Sequence, residues 1–189
     1  MNLKWVSALL VDPDKHAVKT LSNMLEGFGL VKQKVVETGE AAKMALDQEL
    51  FDIVFCEAVL PNISSEELIR WLRRLESKPI RLIPVVVLTR YTQRSLVEAS
   101  RDAGASVVVK KPVPANVLYE RLDWVAKGTR LFVECAGYAG PDRRFKNTGL
   151  PGGVGRRATD LSGDLGDPAA PNLSQQEIDS MIKPMKLEL

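Results

Sequence analysis

The sequence contains little of the chemistry on which most enzymes and metal proteins depend. Its 189 residues include two cysteines, Cys56 and Cys135, and a single histidine, His16. Two cysteines cannot form a disulfide framework or a metal site by themselves. A single histidine makes a histidine-based catalytic triad or a histidine-rich zinc site improbable. These shortages make most enzyme chemistries improbable, and we expect a protein that is not an enzyme.

Long hydrophobic runs and an excess of one charge are also missing. The longest apolar runs, Val6–Val11 and Ile83–Leu88, are far shorter than the roughly 20 residues that a membrane-spanning helix needs. Lys and Arg number 26 against 24 Asp and Glu, and the net charge of +2 favours neither nucleic-acid binding nor attachment to an acidic membrane. The first residues lack the pattern of a secretory signal. We therefore expect a cytoplasmic protein without nucleic-acid partners or membrane insertion.

Glycine and proline are scarce in the first two thirds of the chain and frequent in the last third. Residues 1–127 contain 4 Gly and 6 Pro, whereas residues 128–189 contain 9 Gly and 5 Pro. A compact domain followed by a segment that folds poorly has this division of composition. The sequence predicts a domain over 1–127, a flexible linker over 128–172 and a short helix within 173–189, in a tail that is otherwise largely disordered.

Five short apolar runs in the domain alternate with segments in which apolar residues recur every three or four positions. The runs are mostly β-branched and are bounded by polar or turn residues, as strands are. They are Val6–Val11, Lys34–Glu37, Ile53–Cys56, Val85–Leu88 and Val107–Val109. Near-continuous apolar strands are buried on both faces, which indicates a parallel sheet with helices on each side. The sequence therefore predicts an α/β fold of the doubly wound class.

Polar residues stand where four of these strands end. Asp12 ends the first strand, Glu57 the third, Thr89 the fourth and Lys111 the fifth. In doubly wound sheets, ligands and chemistry lie beyond the carboxyl ends of the strands. Two acids, a hydroxyl and an ammonium group are therefore expected to converge on one edge of the sheet.

The stretches around these polar residues match the pattern of a known family. They are Ala8-Leu-Leu-Val-Asp12, Phe51-Asp-Ile-Val-Phe-Cys-Glu57 with Pro61 four residues on, Val85-Val-Val-Leu-Thr89, and Gly104-Ala105 before Lys111-Pro112. From about residue 5 to residue 126, the chain resembles the receiver domain of two-component response regulators. The resemblance implies a flavodoxin-like sheet of five strands in the order 2-1-3-4-5. It also implies phosphoryl transfer from a histidine kinase to an aspartate on strand 3, with magnesium bound beside it.

The phosphoacceptor and metal positions of that family are altered in this sequence. Glu57 stands in the place of the phosphoacceptor aspartate. Its extra methylene moves the carboxylate by more than about 1 Å, a displacement that can cost about 10²-fold in a positioned reaction. Pro13 replaces the second acid after strand 1, so Asp12 is left as a weak candidate metal ligand. We therefore expect no bound metal and no other cofactor.

Two further positions depart from the family pattern. Arg90 follows Thr89 where the family usually has a small residue, and Val108 stands where it has a switching aromatic. The resemblance thus indicates a pseudo-receiver that is not phosphorylated. Glu57 could reach towards Thr89 and Lys111 and imitate a phosphorylated aspartate, or it could form a structural ion pair with Lys111 or Arg90.

The last segment of the chain carries strong helix signals. Six residues provide them: Leu173, Ser174, Glu177, Ile178, Met181 and Ile182. The Ser and the Glu form a capping box, and the Leu and the first Ile form a hydrophobic staple. The two Ile residues and the Met form an apolar stripe, and Pro184 is expected to end the helix. The segment resembles the peptide at the start of flagellar motor switch proteins, which binds a chemotaxis receiver. The helix could bind another receiver, or fold back on the equivalent face of its own domain, built from 96–111 and 117–126.

Three functions are consistent with these features. The preferred hypothesis is a non-enzymatic signalling adaptor of two-component or chemotaxis type. One alternative is a phosphorylatable response regulator that depends on Mg²⁺, and the other is a structural docking component of a motility or polar assembly. The expected partner is a protein, either a chemotaxis receiver, a histidine kinase or a flagellar motor component. The sequence leaves the oligomeric state open.

Overall fold

Strands and helices alternate along the domain. The computed structural model describes residues 3–76, 78–127, 131–142 and 172–182. The strands are β1 (Ser7–Val11), β2 (Lys32–Val36), β3 (Ile53–Glu57), β4 (Val85–Thr89), β5 (Val107–Lys110), β6 (Phe132–Cys135) and β7 (Tyr138–Pro141). The helices are α1 (Lys15–Gly27), α2 (Gly39–Gln48), α3 (Ser65–Arg74), α4 (Lys78–Leu82), α5 (Arg94–Ala103), α6 (Ala115–Lys127) and α7 (Gln175–Ile182). Across these ranges, no helix combines the length and apolar character needed to cross a membrane.

The first five strands form one parallel sheet in the order β2-β1-β3-β4-β5. The predicted doubly wound, flavodoxin-like fold and its strand order are therefore confirmed. β3 and β4 are buried along their whole length because they lie inside the sheet with helices on both faces. The register pairs Ser7 with Lys32 and Ala8 with Ile53, so that neighbouring strands begin at the same edge.

Each face of the sheet has its own apolar core. α1 and α6 cover one face, where Leu25 and Leu118 pack with Leu10. α2, α3 and α5 cover the other face, where Leu72 packs in the same cluster as Leu9. Successive side chains of a strand point to opposite faces, which is why the adjacent residues Leu9 and Leu10 enter different cores. Burial of apolar side chains, about 1.5–3 kcal/mol for each large one, thus holds both helix layers on the sheet.

The region predicted as linker contains a β-hairpin. β6 and β7 pair antiparallel over residues 132–141, so this part of the predicted flexible linker over 128–172 contains regular structure. Tyr138 is buried, and its hydroxyl donates to the Pro141 carbonyl at 2.6 Å. The hairpin packs on α3 and α5. Its own sequence is short and weakly apolar, so it does not predict this packing. Residues 128–130, 143–171 and 183–189, which include Pro184, lie outside the described residues.

Arg73 on α3 is a buried cation that joins three segments of the chain. Its Nε donates to the Gly104 carbonyl at 3.0 Å, and its Nη1 donates to the carbonyls of Arg81 and Ile83 at 2.7 Å each. Burial lowers the pKa of Arg73 to about 10. The carbonyl at Gly104 belongs to the residue that ends α5, where the hairpin backbone passes close by. The guanidinium therefore links α3 to the segments that lead into β4 and β5.

We predict that Gly104→Ala destabilises the protein. Gly104 has a φ of +104°, and a Cβ there would stand 2.7 Å from the Ala139 carbonyl oxygen of the hairpin and 3.0 Å from Cγ of Arg73. Strain and contact together should lower the free energy of unfolding by about 1–3 kcal/mol, as measured by urea denaturation. Gly27→Ala is the matched control because a Cβ at Gly27 meets nothing within 4 Å. Equal stability of the two variants would contradict the close approach of the hairpin.

Candidate functional site

The carboxyl ends of four strands bring together the polar residues that the sequence places there. Asp12 follows β1, Glu57 ends β3, Thr89 ends β4 and Lys111 follows β5. Asp12, Glu57 and Thr89 are buried, and the Lys111 side chain is 14% exposed. Two acids, a hydroxyl and an ammonium group thus lie together at one edge of the sheet.

Lys111 bridges the two carboxylates of the site. Its Nζ lies 2.6 Å from Oδ2 of Asp12 and 2.6 Å from Oε2 of Glu57. The remaining oxygens are also bonded, since Oδ1 of Asp12 accepts from the Asp14 amide and Oε1 of Glu57 from the Ala58 amide, each at 2.8 Å. Each of the four carboxylate oxygens therefore accepts one hydrogen bond from the protein.

The electrostatics of the site favour a charged Lys111. Burial works against the ammonium, but the hydrogen bonds to Asp12 and Glu57 outweigh it, and the pKa of Lys111 is raised above its ordinary value. The neighbouring thiol behaves differently. Burial, reinforced by the charge of Glu57, raises the pKa of Cys56, so this cysteine stays protonated and unreactive.

Arg90 pairs with Asp14 rather than with Glu57. Its Nη2 donates to Oδ2 of Asp14 at 2.8 Å, so the interpretation in which Arg90 pairs with Glu57 is wrong. Asp14 is available because it caps α1, where its side chain accepts from the His16 and Ala17 amides. These contacts hold the pKa of Asp14 below its usual value, led by the bond from Ala17.

Thr89 also has a local partner. Its Oγ1 accepts from the Tyr91 amide at 3.0 Å, and its carbonyl accepts from the Lys111 amide at 2.7 Å. In the described part of the chain, Glu57 makes no hydrogen bond to Thr89. Of the two groups that Glu57 could reach in imitation of a phosphorylated aspartate, it therefore contacts Lys111 and not Thr89.

The donor set at this edge suits magnesium poorly. Magnesium is bound through carboxylates and water in an octahedron. Here both carboxylates are held by Lys111, and Pro13 contributes no side-chain oxygen. Among the described residues there is no group of three or more His, Cys, Asp or Glu that could hold a metal ion.

The helix α7 lies on its own domain, against β5, α5 and α6. Gln175 meets the free edge of β5, where its Oε1 accepts from the Lys110 amide at 2.8 Å and its Nε2 donates to the Val108 carbonyl at 3.3 Å. β5 is the last strand of the sheet, so these backbone groups have no neighbouring strand to pair with. The side chain of Gln175 satisfies them instead. Val108 itself is buried in the same core as α7.

The apolar and capping residues of α7 act as its sequence predicts. Ile178 and Ile182 are buried in the core of the domain, with Leu173 and Met181 half-buried beside them. The capping box is present, because Oε2 of Glu177 accepts from both the amide and the hydroxyl of Ser174 at 2.7 Å. Of the two placements left open by the sequence, the helix occupies the face of its own domain.

Three contacts of α7 and of Leu173 just before it were not foreseen from the sequence. Gln175 covers the strand edge, Asp179 pairs with Arg121 of α6, and Thr92 exchanges hydrogen bonds with Leu173 at 2.8 and 2.9 Å. Gln175 and Asp179 are four residues apart and are linked at 3.0 Å, a spacing that puts them on one helix face. That spacing was readable in the sequence, but their partners depend on the tertiary fold.

Comparison with known proteins gives consistent matches over the domain. The family model of the response regulator receiver domain matches residues 8–123. The sensory/regulatory protein RpfC of Xanthomonas campestris pv. campestris is 30% identical over 123 residues, which is 65% of this chain but 17% of that protein's length. The polar-differentiation response regulator DivK of Brucella ovis is 23% identical over 107 residues, covering 57% of this chain and 85% of DivK. The chemotaxis response regulator CheY4 of Vibrio cholerae shares the fold, with a TM-score of 0.58 at 20% identity over 64% of this chain and 98% of its own.

We predict that Lys111→Met lowers the free energy of unfolding by about 3–5 kcal/mol at neutral pH, because two buried carboxylates lose their counter-ion. The raised pKa means that the contribution of Lys111 is complete below its ordinary pKa of 10.5 and is lost as the pH rises through the folded value. Urea denaturation from about pH 7 to about pH 11.5, which is roughly one unit above the ordinary lysine pKa, should therefore show the gap in stability between wild type and variant beginning to close at the alkaline end.

The control for Lys111 is an exposed ion pair on α6. Lys127 lies 2.7 Å from Asp123 and is 76% exposed, so Lys127→Met should leave stability almost unchanged. If both variants lose the same stability, the buried bridge has no special role.

Proposed function

The chain belongs to the response regulator receiver domain family, and from this premise we propose that it is a pseudo-receiver, a non-enzymatic signalling adaptor rather than a phosphorylated switch. In the proposal, Glu57 occupies the phosphoacceptor position without accepting a phosphoryl group. The protein acts by presenting surfaces to other signalling proteins. A soluble chain in the cytoplasm, with no cofactor, is part of the same proposal.

The observation that carries this proposal is the bridge from Lys111 to both carboxylates at 2.6 Å. Phosphoryl transfer needs a free carboxylate as nucleophile and positive groups left to neutralise the phosphoryl oxygens. In this site the nucleophile position and its cation already satisfy each other. Pro13 and the Arg90–Asp14 pair add to the support, since they leave no second unpaired acid after β1 for magnesium and put a guanidinium beside the carboxyl edge of the sheet.

The position of α7 supports a regulatory role for the tail. It covers the face formed by α5, β5 and α6, and its Ile178 and Ile182 complete a core that the domain leaves open there. A helix of eight residues is marginal alone in water, so α7 gains its order from this contact. Release of α7 would free two binding elements together, the helix and the face. The partners we propose are a chemotaxis receiver, a histidine kinase or a flagellar motor component.

We expect the wild-type protein to remain unphosphorylated when incubated with acetyl phosphate or a histidine kinase and Mg²⁺. Intact-protein mass spectrometry measures this directly. The positive control is Glu57→Asp combined with Pro13→Asp and Arg90→Ala, which restores the family's acids and opens the pocket. That variant should acquire a phosphoryl group. Stoichiometric labelling of Glu57 in the wild type would overturn the proposal and favour the Mg²⁺-dependent switch.

We also expect a synthetic peptide of residues 172–189 to bind the chain from which residues 171–189 are deleted, and to bind the full chain about 10²-fold more weakly. The tethered copy competes at an effective concentration near the millimolar range. Fluorescence anisotropy of a labelled peptide measures both affinities.

The matched control for the peptide is Ile178→Ser, which removes a fully buried side chain and should abolish binding. The same peptide tested on a chemotaxis receiver asks whether the helix also acts in trans. Equal affinity for the full and the shortened chain would show that α7 does not occlude the face.

A further inference from the structure

A cleft lies between α1 and the segment that joins β5 to α6. Its volume is about 410 Å³, which falls within the range of roughly 300–1,000 Å³ found for small-molecule sites. Its walls come from α1 and the residues before it, from the end of β4, and from the residues that follow β5. The cleft is thus one concave space to which three separate parts of the chain contribute.

The floor of the cleft is apolar. Leu21 of α1 and Leu88 of β4 are buried, and Met24 and Val113 are half-buried against the same core. All four side chains line the cleft. An apolar group that enters would therefore leave water and extend the core that lies between α1, α6 and the sheet.

The charged groups on the walls are already paired with one another. Lys111 lies 2.6 Å from Asp12, and Arg90 lies 2.8 Å from Asp14. Lys111 also bonds to Glu57, so it has no spare charge with which to hold an anion. A charged ligand would lose its hydration in the cleft without gaining an unpaired group of opposite charge.

One polar group on the wall retains hydrogen-bonding capacity. The Thr20 hydroxyl donates to the His16 carbonyl at 3.0 Å, so its oxygen can still accept a hydrogen bond from a ligand. Thr20 lies on the same helix as Leu21 and Met24 and is exposed. A single polar group beside an apolar floor is the arrangement that orients a small molecule in its site.

We propose that this cleft binds a small uncharged molecule that is mostly apolar and carries one hydrogen-bond donor. Asp12 and Lys111 form part of the wall, so a bound molecule would lie next to the buried bridge. The inference goes beyond the proposed adaptor function and does not rest on it, because neither Glu57 nor α7 lines the cleft.

The test uses indole as the probe and the full chain with ¹³C-labelled methionine methyl groups. Met24 reports on the cleft, and Met44, which is 62% exposed on α2 across the sheet, is the internal control. The Met24 methyl resonance should shift saturably, with a dissociation constant of about 0.1–1 mM, as expected of a small fragment. An unmoved Met24 resonance at indole concentrations well above this range, or an equal shift at Met44, would overturn the proposal.

Two charged analogues test the class of ligand. Indole-3-acetate carries the same ring with an anionic side chain, and tryptamine carries it with a cationic one. Each should bind at least about tenfold more weakly than indole, because the cleft offers no unpaired charge to either. If either analogue matches or exceeds indole in affinity, the assignment to uncharged molecules is wrong.

A matched pair of variants tests the location. Ala17 lines the cleft, so Ala17→Leu should fill part of its volume and weaken indole binding about tenfold or more. Ala41→Leu is the control, since Ala41 is also half-buried and, like Ala17, donates its amide to the side chain that caps its helix. Equal affinities of the two variants, with both folded by circular dichroism, would contradict the proposal. If Ala17→Leu does not fold, the Met24 resonance of the wild type decides the outcome.

Discussion

The bridge from Lys111 to Asp12 and Glu57 is the constraint on which the rest of the site depends. It joins the ends of β1, β3 and β5 with one side chain, and it offsets a repulsion that two buried carboxylates would otherwise have. Taking three charges out of water is costly, and such a cluster is favourable only when the remaining lone pairs are also bonded. The amides of Asp14 and Ala58 each bond one of the two remaining oxygens. The extra methylene of Glu57, which moves its carboxylate away from the geometry of an aspartate, thus belongs to a site in which one ammonium group serves two carboxylates.

Much of this architecture follows from local sequence. Strands that are apolar along their whole length predict a sheet buried on both faces, and polar residues at their carboxyl ends predict a shared edge, because a parallel sheet allows no other arrangement. The N-cap at Asp14 and the capping box at Ser174 are local as well. The hairpin over 132–141 was missed because its stability comes from α3 and α5 rather than from its own pattern. The Arg90–Asp14 pair was missed because residues 76 positions apart meet only when β4 and α1 are assembled.

An open parallel sheet has two free edges, and the two edges of this sheet are protected from further strand pairing in different ways. At β5 the backbone is covered by a side chain, since Gln175 supplies both a carbonyl and an amide to the strand. At β2 the strand carries Lys32 and Lys34, and charged side chains on an edge discourage pairing with other strands. The segment that carries α7 therefore satisfies two backbone groups at the β5 edge of the sheet. A helix that carries out this task is held by geometry as well as by its apolar stripe.

Lys110 and Lys111 are adjacent, yet they contact different parts of the molecule. The side chain of Lys111 belongs to the acidic pocket, whereas the amide of Lys110 donates to Gln175 of α7. Amides inside the sheet exchange with solvent only when strands separate, but an amide held by a side chain on a separate helix exchanges whenever that helix leaves. The Lys110 amide is thus a built-in reporter of tail opening. Its hydrogen-exchange rate therefore measures how often α7 leaves the domain while the sheet stays intact.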